Sequence, residues 1–138
     1  MAFSNYLLTA LCQLMFGQTA FTPPATIYVG LSTTPPNADG SNITEPVGNG
    51  YSRFAIPNDT AHWRLASGQP ATGDRQSNQQ AFNFPQVTAD WGTVTHLVMY
   101  DAPSGGNFLG WGQLDTPRNM VAGTTLTFAA EALTATMQ

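Results

Sequence analysis

Charged residues are scarce in this chain, and lysine is absent altogether. Four arginines and eight acidic residues make up 9% of the 138 residues, whereas about 25% is usual for a soluble domain. A folded monomer of this mass exposes roughly 7,000 Å² of surface, so its charges are spread about three-fold more thinly than usual. Such a surface is covered by uncharged polar side chains, or it is partly hidden against partners in an assembly.

The shortage of positive charge excludes one class of function. The net charge is −4, and the four arginines are scattered along the sequence rather than clustered. A protein that binds DNA or RNA needs a basic patch to contact the phosphates. The sequence offers no such patch, and we therefore predict no nucleic-acid partner.

Cysteine and long apolar runs are also rare. Cys12 is the only cysteine, which excludes a disulfide within the chain. It lies among leucines in a helical pattern, so we expect a buried, inert thiol rather than a nucleophile. No stretch reaches 18 consecutive apolar residues, and the sequence therefore predicts no membrane-spanning helix and no membrane partner.

The clearest local signal that the sequence does contain is one helix, predicted over residues 4–16. Ser4 is a favourable N-cap, and Gly17 stands where helices commonly end. The large apolar side chains share one face of this helix: Leu7, Leu8, Leu11, Leu14 and Met15. Because residues 1–22 carry no charged side chain, this face must dock on the protein's own sheet or on a neighbouring subunit.

From residue 26 onward the apolar residues alternate with a period of two, which is typical of strands. The alternation is clearest over residues 26–32, where Ile27, Val29 and Leu31 share one face. Further strands are predicted over residues 51–56, 62–65, 81–84, 93–100, 107–114, 124–128 and 132–137. Residues 68–80 are rich in Gln, Asn, Ser and Gly, which predicts a loop or a loosely paired edge.

These strands define the fold class. Turn residues separate them and no helical crossover lies between them, so the sheets should be antiparallel. We predict an all-β fold, an antiparallel β-sandwich that is jelly-roll-like, with one N-terminal amphipathic helix. The 138 residues are predicted to form a single domain, with the helix and an arm in residues 1–21 and the β-sandwich in residues 22–138.

The longest loop is predicted over residues 33–50, which contain Pro35-Pro36, Asp39-Gly40 and Gly48-Asn49-Gly50. Loops longer than about 15 residues are uncommon inside a compact domain and often have a function. This loop is either a contact arm that binds a partner or an ordered surface loop without one.

Residues suited to catalysis or metal binding do not form a recognisable pattern. His62 and His96 are not at helical spacing, and there is no cysteine pair for a zinc site. His96 lies in a predicted strand, where a hydrogen bond near the sheet interface is its ordinary role. Asp39 and Glu45 are too few to supply the roughly six to eight oxygen ligands of calcium. We therefore predict no catalytic residue, no cofactor and no metal.

Three tryptophans, Trp63, Trp91 and Trp111, lie in or beside predicted strands. Exposed tryptophans can stack on sugars, but at these positions packing in the core is the favoured role. Carbohydrate binding stays a minor alternative.

Several short motifs occur in a fixed order along the chain. After the helix that ends in Phe16-Gly17, the motifs are Tyr-Val-Gly-Leu-Ser-Thr-Thr-Pro-Pro (28–36), Gly-Asn-Gly-Tyr-Ser-Arg (48–53), Phe-Asn-Phe-Pro (82–85), Asp-Trp-Gly-Thr-Val-Thr-His (90–96), Gly-Gly-Asn-Phe-Leu (105–109) and Gly-Thr-Thr-Leu-Thr-Phe (123–128). This order resembles a family of small virion proteins of tailed phages, described as capsid cement proteins or, more loosely, as tail-fibre proteins. The similarity covers nearly the whole chain, and residues 61–80 depart from it most.

The resemblance implies a jelly-roll-like β-sandwich without catalytic residues. We therefore expect a non-enzymatic cement, or decoration, protein on the outer surface of the capsid that bridges and stabilises the lattice of the major capsid protein. The expected partners are the major capsid protein and further copies of this chain, as a dimer or trimer. The alternative is a tail-fibre or baseplate-associated module that binds a receptor, and a small hydrolase is the least favoured function.

A cement protein needs surfaces that contact other subunits. We assign these contacts to the predicted helix and to loop 33–50. The expected interface residues are Leu7, Leu8, Leu11, Met15, Pro35, Pro36 and Ile43.

Overall fold

A computed structural model describes residues 1–65 and 75–136, and this part of the chain contains one helix and ten strands. In chain order the elements are β1 (Ala2–Phe3), α1 (Asn5–Met15), β2 (Thr26–Ser32), β3 (Phe54–Pro57), β4 (Trp63–Leu65), β5 (Arg75–Asn78), β6 (Phe82–Asn83), β7 (Gly92–Tyr100), β8 (Phe108–Met120), β9 (Thr127–Phe128) and β10 (Thr134–Thr136). All the pairings between these strands are antiparallel.

The strands form three sheets that pack on one another in a sandwich-like arrangement. The largest sheet has the order β1-β8-β7-β2-β3, the second has the order β10-β5-β4, and β6 pairs with β9. The described residues thus confirm an all-β antiparallel sandwich with one helix near the N-terminus.

The core lies where alternate residues of the large sheet meet the two smaller sheets. Val29 and Leu31 of β2 are fully buried, and they lie opposite Met99 and Leu97 of β7. Phe82 of β6 adds an aromatic layer, since its ring stacks on the rings of Phe54 and Phe128 with centroids 5.0 and 5.1 Å apart. The period of two in β2 arises because only one face of the strand meets this core.

A close approach on the opposite face of β2 requires a glycine. A Cβ atom at Gly30 would lie 2.8 Å from both the Tyr51 hydroxyl and a Glu45 carboxylate oxygen. Real Cβ atoms do not approach other atoms so closely. Gly30 therefore makes room for the side chains that cover this face beyond the end of β3.

Several strands differ in length from their predicted bounds, and β3 and β8 illustrate why. β3 begins at Phe54 rather than at residue 51, and β8 continues to Met120 instead of ending at residue 114. In the β7–β8 ladder, Val94 pairs with Arg118 while His96 already pairs with Gln113, so residues 114–117 bulge out of the ladder. Pro117 lies in this bulge, where its missing N–H costs no ladder hydrogen bond.

The prediction of a loop or edge for residues 68–80 is wrong at residues 75–78. These residues form β5, which is the middle strand of its sheet, between β4 and β10; residues 66–74 lie outside the described part of the chain. The buried Asn78 donates its side-chain N–H groups to the carbonyls of Gln80 and Ala129, and its Oδ1 accepts from the Leu133 N–H at 2.8 Å. The buried amide of Asn78 is thus fully hydrogen-bonded, as buried polar groups usually are.

Candidate assembly interface

The N-terminal helix is fixed at its start by one buried serine. The Ser4 hydroxyl accepts a hydrogen bond from the Leu7 N–H at 3.2 Å and donates one to the Phe108 carbonyl at 2.5 Å. The Ser4 N–H also donates to the Leu109 carbonyl at 2.9 Å. The same residue therefore caps α1 and ties it to β8. The predicted cap residues are confirmed, since Gly17 adopts the left-handed conformation after the helix with φ of +68°.

One side of helix α1 packs against the β-sandwich, and another side is exposed to solvent. Leu7 and Leu11 are half-buried against the body of the sandwich. The adjoining side forms what we call the open helix flank: Leu8 at 43% exposure, Cys12, Met15 at 80% and Phe16 at 75%. Their spacing of four, seven and eight residues places these side chains on one face of the helix. Docking on the protein's own sheet thus accounts for only part of the apolar surface.

The expectation of a buried thiol at Cys12 is wrong. Cys12 is exposed because it points along the open helix flank rather than toward the sheet. The apolar stripe of α1 is wider than the contact that α1 makes, and the sequence pattern did not indicate which part would be covered.

The open helix flank is unusual for a protein surface in two respects. Several large apolar side chains are exposed together on one short helix, and clusters of this kind commonly mark interaction sites. Residues 1–38 also contain no Asp, Glu, Lys, Arg or His side chain, so no charged side chain of this segment helps to solvate them. The flank therefore has the composition of a contact surface for another uncharged, apolar surface.

An apolar cavity lies beneath α1, on the side of Leu7 and Leu11. This helix cavity has a volume of about 550 Å³ and lies between α1, residues 21–24, β2 and β4. Its apolar walls consist of Phe3, Leu7, Leu11, Phe21, Pro23, Pro24, Ile27, Trp63, Met99, Leu109 and Ala135. Asp59 is the one acidic residue in the described lining, and its carboxylate is engaged by His62 at 2.7 Å.

Loop 33–50 is an ordered loop that is closed by its own hydrogen bonds. The Thr33 N–H donates to the Thr44 carbonyl at 3.0 Å, and the Asn42 side chain donates to the Pro35 carbonyl at 2.8 Å. The Asp39 carboxylate accepts from both the N–H and the hydroxyl of Ser41, which lowers the pKa of Asp39. These hydrogen bonds join polar groups of the loop to one another and hold its shape.

The expected interface residues of this loop differ in their accessibility. Pro36 is buried and Ile43 is half-buried, whereas Pro35 is exposed. Val47, which the sequence did not single out, has 89% of its surface exposed. Among the expected interface residues of the helix, Leu8 and Met15 are exposed and Leu7 and Leu11 are half-buried. The assignment of these residues to a contact stays a prediction.

One arginine fixes the far end of loop 33–50. Arg53 forms two hydrogen bonds with Glu45, from Nη2 to Oε1 at 2.5 Å and from Nε to Oε2 at 3.0 Å. Its Nη1 donates to the carbonyls of Ala102 and Gly105, both at 2.8 Å. The guanidinium also lies over the Tyr100 ring, 3.6 Å from the ring centroid. Arg53 thereby joins loop 33–50 to the turn between β7 and β8.

The electrostatics of this cluster are those of a structural ion pair. Burial alone would lower the pKa of Arg53, but the hydrogen bonds and charge of Glu45 outweigh it and raise that pKa. Burial and the nearby Glu45 carboxylate raise the pKa of Tyr51, whose hydroxyl donates to Glu45 at 2.6 Å. Glu45 is thus engaged by Arg53 and Tyr51 through both oxygens, which leaves it a poor ligand for a calcium ion beside Asp39.

The two histidines have separate local partners. His96 Nδ1 lies 2.7 Å from the Thr95 hydroxyl, and partial burial lowers the pKa of His96. The expected hydrogen bond of a histidine near the sheet is therefore confirmed. His62 Nδ1 lies 2.7 Å from the Asp59 carboxylate, and this contact lowers the pKa of Asp59. Among residues 1–65 and 75–136, no group of three or more His, Cys, Asp or Glu side chains could hold a metal ion.

The tryptophans serve mainly in packing. Trp91 is buried, and its indole N–H donates to the Asn49 carbonyl at 2.9 Å. Trp63 packs against the core cluster, and Trp111 stacks on Phe108 with ring centroids 5.8 Å apart. Core packing is confirmed for Trp91, whereas Trp63 and Trp111 keep part of their surface exposed.

The fold and the site together define a class: a small β-sandwich that exposes an apolar helix flank without charged side chains in its described part. Within the described ranges, no helix has both the length and the apolar character needed to cross a bilayer. The chain matches the family model described as podophage GP4 fiber I protein gp80 over residues 2–136, and it belongs to that family. A search of curated proteins finds no significant match. The chain is therefore a structural component of a tailed-phage virion.

Proposed function

We propose that this chain is a subunit of a virion fibre and that the open helix flank is the surface through which it is built into the virion. The family match over residues 2–136 carries this proposal, because the family is described as a fibre protein. A structural fibre family also favours a non-enzymatic role.

The distribution of charge supports an assembly role. Polar groups of loop 33–50 and of the Arg53 cluster form hydrogen bonds with partners within the chain. The open helix flank, in contrast, exposes Met15 and Phe16 at 80% and 75% without a charged neighbour in residues 1–38. Burying such side chains against another subunit is favourable by about 25 cal/mol per Å² of apolar surface.

A cement role on the outer surface of the capsid is the second candidate. It would require contact with the major capsid protein and stabilisation of the assembled shell by mass action. The same helix flank would suit this role, as would self-association into a dimer or trimer. The fibre description of the family favours the first candidate over this one.

The location of the chain distinguishes the two candidates. Gold-labelled antibodies against the chain would be applied to intact virions and observed by electron microscopy. We expect label on the fibres and none over the icosahedral faces of the capsid. Even label over the capsid, together with saturable binding of the purified chain to capsids stripped of it, would reject the fibre proposal in favour of cement.

A further inference from the structure

Tyr6 of helix α1 lines two open clefts on the surface of the molecule. The first cleft has a volume of about 370 Å³ and lies between α1, residues 21–26 and β2, where Tyr28 lines it. The second cleft has a volume of about 540 Å³ and lies between α1, loop 33–50 and the turn between β7 and β8, where Tyr100 lines it. We call the two together the tyrosine clefts, because Tyr6 contributes to both.

Strand pairing holds the other two tyrosines next to each other. Tyr28 of β2 pairs directly with Tyr100 of β7, so both side chains leave the large sheet on the same face. The next pair along the ladder, Val29 and Met99, is buried on the opposite face, in the core. Three of the four tyrosines of the chain are thus gathered at the tyrosine clefts.

Several polar groups at the tyrosine clefts have no partner in the described part of the chain. The hydroxyls of Tyr6, Tyr28 and Tyr100 form no hydrogen bond with any residue that the structure describes. The same holds for the side-chain amide of Asn5 in the second cleft. The fourth tyrosine, Tyr51, differs, because its hydroxyl both donates and accepts hydrogen bonds within the chain. The clefts therefore offer donors and acceptors to a ligand.

The charges in the described lining do not suit an anion. Arg53 is the one basic residue there, and its Nε, Nη1 and Nη2 already donate to Glu45 and to two backbone carbonyls. Asp39 and Asp101 are the acidic residues of the lining. Because anions are bound by free cationic donors, a phosphate or carboxylate would be repelled here, and the ligand that fits is neutral.

A neutral sugar has the matching chemistry. A sugar ring combines an apolar face of C–H groups with a rim of hydroxyls, and a tyrosine side chain combines an apolar ring with a hydroxyl that donates and accepts. The Asp39 carboxylate and the Asn5 amide supply further acceptors and donors. An apolar cavity of about 150 Å³ holds the six-membered ring of benzene, so each tyrosine cleft has room for at least one sugar unit.

We propose that the tyrosine clefts bind a neutral oligosaccharide, with the ring of Tyr6 against a sugar face and the hydroxyls of Tyr28 and Tyr100 bonded to sugar hydroxyls. Such a site is compatible with the assembly role. Tyr6 precedes Leu8 of the open helix flank by two residues, which is about 200° around an α-helix. Another subunit can therefore cover the flank while Tyr6 stays open to solvent.

The test is an NMR titration of the full chain with isotope-labelled tyrosine rings. The probes are methyl glycosides of neutral hexoses, 6-deoxyhexoses and N-acetylhexosamines, added up to tens of millimolar, and single Tyr→Phe variants assign the ring signals. We expect at least one of these sugars to shift the signals of Tyr6, Tyr28 and Tyr100 with one common saturation curve. Tyr51, whose hydroxyl is bonded within the chain, should not shift and is the internal control.

Variants of Tyr6 test its role in this binding. Tyr6→Ala removes the ring that both clefts share and should weaken binding of that sugar about tenfold, the loss expected for a stacked aromatic ring. Tyr6→Phe keeps the ring and should weaken binding less. Phe16→Ala removes an exposed ring at the other end of the same helix, which lines neither cleft, and it should bind as the natural chain does. Circular dichroism verifies that each variant is folded.

The charge argument has its own test. The uronic acid counterpart of the bound sugar differs from it only by a carboxylate, and it should bind more weakly because Asp39 and Asp101 lie in the lining.

Three outcomes would overturn the proposal: no saturable shift with any neutral sugar, unchanged binding in folded Tyr6→Ala, or tighter binding of the uronic acid. If Tyr6→Ala does not fold, the shared saturation curve of the three tyrosines and the comparison with the uronic acid still decide the matter. Gold labelling of virions reports the location of the chain and not sugar binding, so failure here and failure of the fibre proposal are distinguishable.

Discussion

Loop 33–50 and helix α1 are both predicted contact elements, but they differ in how much of their surface is covered within the chain. The loop is long and rich in turn residues, but its hydrogen bonds close it on itself, and Arg53 fastens it to the turn between β7 and β8. The helix is short and well capped, but it leaves one apolar flank uncovered. The length of the loop therefore does not predict an uncovered apolar surface, whereas exposed apolar area of the kind on α1 is the feature that commonly marks interaction sites.

The largest effect on stability is expected from removing the Arg53 guanidinium, which joins loop 33–50 to the turn between β7 and β8. Arg53→Met removes a guanidinium whose side chain is only 7% exposed and leaves the Glu45 carboxylate without its charge partner. We expect a loss of about 3 kcal/mol in the free energy of unfolding and a fall of about 10 °C in the melting temperature. Thermal denaturation followed by circular dichroism measures both.

The control for this prediction is Arg118→Met. Arg118 is exposed on β8, and its replacement should change stability by no more than about 0.5 kcal/mol. Equal effects of the two substitutions would mean that the Arg53 cluster does not hold the loop.

The second prediction concerns the anchor of the helix. Ser4→Ala removes the cap of α1 and the hydrogen bond from the Ser4 hydroxyl to the Phe108 carbonyl. We expect a loss of about 1–2 kcal/mol in urea denaturation. Ser52→Ala at an exposed position is the control, and a Ser4 effect no larger than this control would show that the helix is held by other contacts.

A smaller effect is expected from pH. Because burial lowers the pKa of His96 in the folded chain, the unfolded chain takes up this proton first as pH falls. The contribution of His96 to stability is complete above its ordinary pKa of about 6.5 and declines as pH falls below it. The midpoint of urea denaturation should therefore fall less between pH 7.5 and 5.5 in His96→Gln than in the natural chain. In the control His62→Gln, the part of this fall that is due to His96 should remain.

The smallest effect on stability is expected on the open helix flank. Met15→Gln replaces a side chain that is 80% exposed, so the free energy of unfolding should change by no more than about 0.5 kcal/mol. A loss as large as that of Ser4→Ala in the same urea titration would mean that Met15 packs within its own copy, and the contrast between the loop and the helix would fail.

Local signals account for what the sequence predicted well. The helix and its caps depend on residues that are neighbours in sequence, such as Ser4 and Gly17, and β2 shows its period because one face meets the core. The sequence missed β5 because its buried amide, Asn78, is satisfied in part by a carbonyl far along the chain, that of Ala129. No pattern in the neighbouring sequence predicts such a distant hydrogen-bond partner.

The site was predicted only in outline. The sequence placed an apolar face on the helix, but the width of the stripe does not indicate which part the sheet covers, and the burial of Cys12 was therefore predicted wrongly. The sequence also did not predict the ion pair between Glu45 and Arg53. Because the chain has so few charged residues, their scarcity was the one signal that each of them has a specific partner. The helix cavity arises from segments that only the fold brings together.

Cys12 provides the most direct test of the open helix flank as the surface that contacts other subunits in the virion. It is the only cysteine of the chain and lies on that flank, so its rate of alkylation by a small maleimide reports whether the flank is covered. The rate would be measured by mass spectrometry of the peptide that contains Cys12, in intact virions and in subunits released from them. The account predicts rapid labelling of released subunits and labelling at least tenfold slower in virions. Equal rates in both would contradict it, because the flank would then be as open in the virion as in the free subunit.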